Sequence, residues 1–325
     1  MPPSSTARRR YKHEQRAADG LPAQHNLIET MKTYIKNTEH GRLAAECFAD
    51  IYEFSEALKR PVNKVFADQA RKSFGDSYYR REFAGTATYA EADDLLRNGY
   101  DVGARKLQSI GSFIDKAERP RTELSPVGFA PHVPNAIQGV PYAMINRANK
   151  KNDVPVIRLY YSMGWSYKIT TDTIIESSRL LLDVISHIER TGTRVELFLF
   201  FGSKAGKCSH QETIYPVIKL KEASQPINLL KLAYIIVHPS FLRRHCLCYM
   251  ETAPIMTSRS FIGGYGCPLS LHADAEYIRK DMSDLGIVKA GEKYAVILSA
   301  DLKSAVGLDK NQAETILEKI KNQLK

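Results

Sequence analysis

The sequence predicts an α/β protein with a mostly parallel sheet flanked by helices, preceded by an N-terminal α+β extension. Three observations predict it. The run "VPVIRLYY", Val154 to Tyr161, is compact, apolar and rich in β-formers, as a strand buried on both faces should be. Ile174, Ile175, Ser178, Leu181, Leu182, Ile185 and Ile188 then recur at helical spacing. After Gly192 a second apolar run, "RVELFLFF", begins. Strand, helix and strand at this spacing form a βαβ unit, with a right-handed crossover and parallel strands.

The elements follow in order along the 325 residues. Residues 1–25 carry Pro2, Pro3, Ser4 and Ser5 with the run Arg8, Arg9, Arg10, lack apolar periodicity, and read as a disordered basic tail. Residues 26–152 read as an α+β region with a connecting loop, and 153–325 as the α/β domain. "MKTYIKNTEHGRLAAECFADIYEFSEAL" predicts a strand, a turn at Gly41, a second strand and a short helix ending before Pro61. Thr88 is placed to cap a helix over Tyr89 to Arg97, Gly99 to stop it in a left-handed conformation, and Asp101 to cap the next helix. Prolines and glycines between Pro120 and Asn152 predict an ordered loop or linker, whose apolar "AIQGVPYAMI" favours packing against the sheet.

Thr173 with Glu176 predicts a capping box for the long helix. "YPVIKL", "LAYIIVH" and "YAVILSA" are three further strand candidates, with Leu229 to Lys231 opening a short helix between the first two. "DKNQAETILEKIKNQLK" reads as a charged amphipathic helix capped by Asp309. No internal repeat is present.

Composition narrows the function classes. Hydrophobic residues at 43% and charged residues at 25% are ordinary globular usage and exclude a largely disordered chain. No apolar run approaches a membrane span and no apolar signal core is seen, which predicts a cytoplasmic protein without a membrane partner. Five cysteines, odd in number and without framework spacing, read as reduced thiols. A formal charge of +10 favours acidic partners, DNA or RNA above all. Residues 1–25 supply part of it, Arg8, Arg9, Arg10, Lys12 and Arg16 outweighing Glu14 and Asp19.

The stretch from Val156 to Gly202 resembles the opening of a von Willebrand factor A-type domain: a buried strand, a turn of small residues, "SMGWS", an amphipathic helix and "RVELFLF". In that family the turn carries Asp-x-Ser-x-Ser and binds a divalent cation at the C-terminal edge of the sheet. The matching positions here are Ser162, Gly164 and Ser166, so only the last is kept. A hard cation needs anionic oxygen ligands, so the resemblance implies a degenerate site with no metal and no cofactor. Asp172 lies close enough in sequence to substitute as a ligand, though capping the helix with Thr171 or Thr173 is its commoner role. "GTATYAEADDLLRNGYDVGA", "GVPYAMIN" and "HPSFLRR" are similar to an uncharacterised family of bacteriophages and related mobile elements. That resemblance implies a bacterial host cell and no particular activity.

Several side-chain groups are weighed for chemistry. His245, Cys246 and Cys248, with His238 upstream, invite a zinc reading, but the spacing better suits two cysteines alternating onto one face of a strand. A nucleophilic cysteine paired with His238, His245 or His272 has no flanking signature. "GSKAGK", Gly202 to Lys207, follows a strand as a phosphate loop should. It has three residues between its glycines where four are needed, and Cys208 stands where a hydroxyl should bind magnesium, so a mobile basic hairpin or connection is expected. In "HPSFLRRHC", Arg243 and Arg244 are candidates to bind phosphate or a partner's carboxylates, or else to satisfy backbone carbonyls at the sheet edge. Lys204, Lys207 and Arg259 would join them at one end of the sheet, where open α/β sheets bind ligands. "RSFIGGYGCPLS" suits either a close backbone approach to a ligand or a tight irregular turn. Trp165, the single tryptophan, marks a contact point if exposed and closes the top of the sheet if buried.

These readings combine into one expectation: a non-enzymatic protein-interaction module of phage or mobile-element origin, with a host or phage protein as partner. Nucleic-acid binding through the basic tail and sheet edge is the alternative, and a cysteine- or metal-dependent enzyme the second.

Overall fold

The computed structural model describes residues 31–39, 41–59, 84–108, 122–128, 130–147, 154–166, 169–207, 210–257, 269, 273–306 and 312–324. Within them Met31–Lys325 forms one compact unit. The described residues begin with an antiparallel hairpin, β1 (Lys32–Thr38) and β2 (Gly41–Phe48), and the short helix α1 (Ile51–Ala57), as expected. A Cβ on Gly41 would lie 2.0 Å from the Gln211 carbonyl oxygen, so the tight approach of this turn to the next strand requires glycine. Asp50 caps α1 by accepting from the amides of Tyr52 and Glu53.

Helices α2 (Tyr89–Asn98) and α3 (Asp101–Gln108) follow. Thr88 caps α2 through the Glu91 amide, and Gly99 ends it at φ 89°. A second, three-stranded antiparallel sheet comes next: β3 (Thr122–Ser125), β4 (Ala130–Pro131) and β5 (Met144–Arg147), in the order β3-β5-β4, with α4 (Val133–Ile137) between its last two strands. The expected linker is therefore a small folded sheet. Its apolar residues do not pack into the main core.

The βαβ unit is present as expected. β6 (Val156–Ser162), α5 (Thr171–Arg190) and β7 (Arg194–Phe200) put two strands side by side in parallel. The cap of α5 differs: Thr170 accepts from the Thr173 amide at 3.3 Å, while Glu176 pairs with Arg179 on the surface instead of closing a box. β8 (Ser203–Lys207) and β9 (His210–Lys221) form a hairpin that reverses the chain. β9 consequently runs antiparallel to β7, and the sheet is mixed where a mostly parallel one was expected. A parallel return would have needed a crossover of a dozen or more residues.

"LAYIIVH" is helical, not a strand: it forms α6 (Leu229–Val237), capped by Asn228 through the Lys231 amide. Its residues from Leu232 to Val237 are all buried, and a short run that is apolar all round carries no period to tell helix from strand. A π-helical segment, Phe241–Cys246, runs into α7 (Leu247–Thr252), so Cys246 and Cys248 lie on helical turns and not on one face of a strand. α8 (Ala275–Asp284), β10 (Tyr294–Leu298), α9 (Ser299–Val306) and α10 (Gln312–Gln323) are the remaining described elements; Asp309 lies outside the described residues.

The main sheet runs β1-β2-β9-β7-β6-β10, with β8 also on β9. β1 and β2 thus extend the sheet built by residues after 153, β2 lying parallel to β9. Alternation sorts its side chains into two cores. Leu159, Tyr161, Leu197 and Leu199 face α5 and α6, while Tyr160, Phe200, Tyr215 and Val296 face α8.

Candidate functional site

Three places deserve comparison, and the first is the C-terminal edge of β6. Ser162 ends that strand between Leu298 and Phe200 and is 2% exposed. Met163 N donates to the Phe200 carbonyl at 2.9 Å, and Ser299 Oγ donates to the Gly164 carbonyl at 2.9 Å, so the turn is tied to β7 and to the residue that follows β10. Trp165 is buried in the main core with Tyr161, Ile174 and Ile175. It closes the top of the sheet and is no exposed contact point. Asp172 is exposed on the first turn of α5. Asp301, just beyond Ser299, accepts from Leu298 N and pairs with Lys319 at 2.5 Å. The turn thus offers hydroxyls and carbonyls, and the Asp301 carboxylate is already paired with Lys319. Among the described residues no group of three or more His, Cys, Asp or Glu side chains is placed to hold a metal ion.

The second place surrounds the π-helical segment. A π-helical turn is rare and recurs at functional sites, which makes its neighbours worth tracing. Arg244 is buried and donates from Nε to Thr86 Oγ1 at 2.6 Å and from Nη2 to the Thr86 carbonyl. Ser240 Oγ contacts the same Thr86 Oγ1 at 3.1 Å and donates to the Ala84 carbonyl. His245 is fully buried: Nδ1 meets the Tyr234 hydroxyl at 3.2 Å, and Nε2 lies 3.9 Å from an Asp93 carboxylate oxygen. Asp93 also binds Arg97 at 2.7 Å. His238 Nδ1 accepts from Ser240 N at 3.2 Å, which leaves the proton of the neutral ring on Nε2. The ring packs edge-on to Tyr100 at 4.8 Å.

Burial pushes His238 and His245 down to about 4, so both are neutral at pH 7; Asp93 opposes the shift at His245 and Glu91 at His238. The Cys246 thiol is fully buried and pushed well up by desolvation, the opposite of what a nucleophile needs. This cluster fastens α2 and the Ala84–Thr86 segment to the π-helical segment. Arg244 satisfies backbone and hydroxyl acceptors in the interior, and Arg243 is buried beside it. The Arg244 guanidinium turns inward to Thr86, and so takes the second of the two roles open to "HPSFLRR", satisfying acceptors within the protein.

Lys204 stands apart from them, its ammonium 4.8 Å over the Tyr277 ring on the α8 side. Lys207 lies at the end of β8, in the expected hairpin. Arg8, Arg9, Arg10, Cys208, Arg259 and His272 fall outside the described residues.

A family model described as a domain of unknown function, DUF7192, matches residues 29–320. The chain belongs to this family. No curated protein and no solved structure matches it. The DUF7192 match spans both sheets, so the small one is part of the family's extent.

That small sheet is the third place. None of its described residues between 123 and 146 is buried. Leu124, Val127, Val133, Ile137, Val140 and Tyr142 are all exposed large hydrophobics, Ile137 at 81% and Val127 at 70%. A contiguous sequence segment with so much apolar surface and no core is unusual for a folded element. The sequence signal was there in "AIQGVPYAMI", but it does not distinguish apolar residues that pack inward from ones that wait for a partner. The Thr86, Asp93, Tyr234 and His245 cluster gave no signal, because its members lie on separate elements.

Proposed function

We propose that this DUF7192 chain is a non-enzymatic protein-interaction module of phage or mobile-element origin, on a von Willebrand factor A-like scaffold that has lost its cation site. The scaffold reading is supported by the parallel β6–α5–β7 unit and by the buried Ser162 at the position of the family's first aspartate. The observation that carries the interaction reading is the exposed apolar surface of the small sheet, from Leu124 to Tyr142. Its partner is a protein of the host cell or the phage, met in the bacterial cytoplasm. Of the described helices, none is long and apolar enough to cross a membrane. Binding there uses neither a metal nor a cofactor. The contact surface moves accordingly from Ser162, Arg243 and Arg244, which are buried, to the small sheet.

The test is capture from bacterial lysate on tagged full-length chain, with and without nuclease and with and without chelator, beside an Ile137→Asp variant. A defined protein that survives nuclease and chelator but is lost with Ile137→Asp supports the reading. Equal capture by the variant would overturn it. The net charge of +10 favours a second reading, nucleic-acid binding, in which the captured material disappears with nuclease and its affinity falls steeply with salt.

A further inference from the structure

The main sheet ends differently on its two sides. On one side the Gln323 amide occupies the hydrogen-bonding positions of β10, Val296 N donating to Oε1 at 2.8 Å and Nε2 donating to the Val296 carbonyl at 2.9 Å. On the other side, among the described residues, β1 pairs only with β2. β1 is seven residues long, without a bulge in its register and without proline, the features that usually blunt an edge.

Which backbone groups of β1 face outward follows from the turn. Two residues separate Thr38 from Gly41, so these two form the hydrogen-bonded pair that closes the hairpin. Alternation then turns Lys36, Tyr34 and Lys32 toward β2, and Thr33, Ile35 and Asn37 toward the outer edge. The three outward residues are all exposed, Ile35 at 56%.

We propose that two copies of this chain pair β1 to β1, antiparallel, about a twofold axis at Ile35. Six outward hydrogen bonds become available, and the two main sheets join into one. The side chains fit this register. Ile35 meets Ile35 of the second copy, Thr33 meets Asn37, and Tyr34 meets Lys36, so no two like charges stand opposite one another. Lysine on an edge ordinarily discourages pairing, but Lys36 is bound to Asp284 at 3.1 Å, which offsets its charge. An isologous contact closes on itself and stops at a dimer. A single strand pair buries less than the roughly 1,200 Å² at which standard interfaces begin, so the dimer is weak and concentration-dependent.

The experiment is sedimentation velocity on the full chain over a wide concentration range, with folding followed by circular dichroism. Wild type is expected to show a reversible monomer–dimer equilibrium. Ile35→Lys and Ile35→Glu put like charges together on the axis and are each expected to be monomeric, whereas an equimolar mixture of the two regains the dimer. Ile35→Pro removes an outward N–H that β2 does not use and is also expected to be monomeric while folded. A wild type that stays monomeric throughout overturns the proposal. So does a dimer untouched by these substitutions, or a mixture of the two charge variants that fails to pair.

Discussion

Gln323 completes the sheet at Val296 by giving it, through one side chain, the donor and acceptor that a neighbouring strand would supply. Val296 is 1% exposed, so its N–H and carbonyl have little recourse to water if the amide is removed. Gln323→Ala should therefore cost about 1–3 kcal/mol. Gln323→Glu can supply both donor and acceptor only while its carboxyl is protonated; once ionised it faces the Val296 carbonyl with a second acceptor, so its cost should rise with pH. Urea denaturation of the three proteins decides it, and equal midpoints would show that the edge does not need its cap.

Thr86 is held between Ser240 and Arg244, and its hydroxyl is the acceptor for the buried Arg244 Nε. Thr86→Val removes that acceptor with little change in shape, leaving a desolvated guanidinium short of a partner. The expected loss is about 1–3 kcal/mol. Arg244→Lys should lose as much, because an ammonium cannot reproduce the two-nitrogen grip on one residue. Thermal unfolding of both variants is the check; a melting temperature unchanged in Thr86→Val would mean that the bond contributes nothing.

The sequence discloses the βαβ unit because one face of α5 is apolar at helical spacing and it lies between two short runs of β-formers, β6 and β7, separated from the second by Gly192. α6 was misread for the opposite reason, since a run buried on every side carries no period. The mixed character of the sheet follows from the hairpin at Lys207 and His210; a hairpin is readable in "GSKAGK", but not that its second strand returns beside β7. At the candidate sites, "HPSFLRR" marked a segment with a special backbone, but residue type alone did not say that Arg244 turns inward to Thr86. That depended on a contact across more than one hundred and fifty residues of chain.

The buried groups give stability opposing pH dependences. His245 folds with its value lowered from 6.5 to about 4, so the unfolded chain binds the proton first as pH falls. Its contribution is full above about 6.5 and is lost as pH drops toward 4, worth about 2 kcal/mol between pH 7 and pH 5; His238 acts in the same sense. Glu251, pushed up from 4.5 to about 7 by burial, does the reverse: the folded state keeps a proton the unfolded chain has released, and stability declines as pH rises through that window. Glu251→Gln should therefore expose the histidine effect, with stability falling from pH 7 to pH 5. Chemical denaturation at both pH values tests it. A fall that persists undiminished when His245→Phe is added would rule out His245 as its source.

The proposed loss of a cation site at Ser162 is testable, because a lost site and one intact but for this residue respond differently to an aspartate placed there. Ser162 is 2% exposed, Gly164 is engaged by Ser299, and Asp301 is engaged by Lys319. Ser162→Asp would place a carboxylate in a nearly closed space with no second anionic ligand positioned beside it. Desolvation then dominates, and the variant should be destabilised by about 1–3 kcal/mol. Magnesium, calcium or manganese should not restore it, since a hard cation needs several oxygen ligands with charge among them. Thermal unfolding with each cation and with chelator is the measurement. A cation-dependent rise in the melting temperature of Ser162→Asp would mean that the remaining hydroxyls still form a working half-site, and the loss would reduce to a single residue.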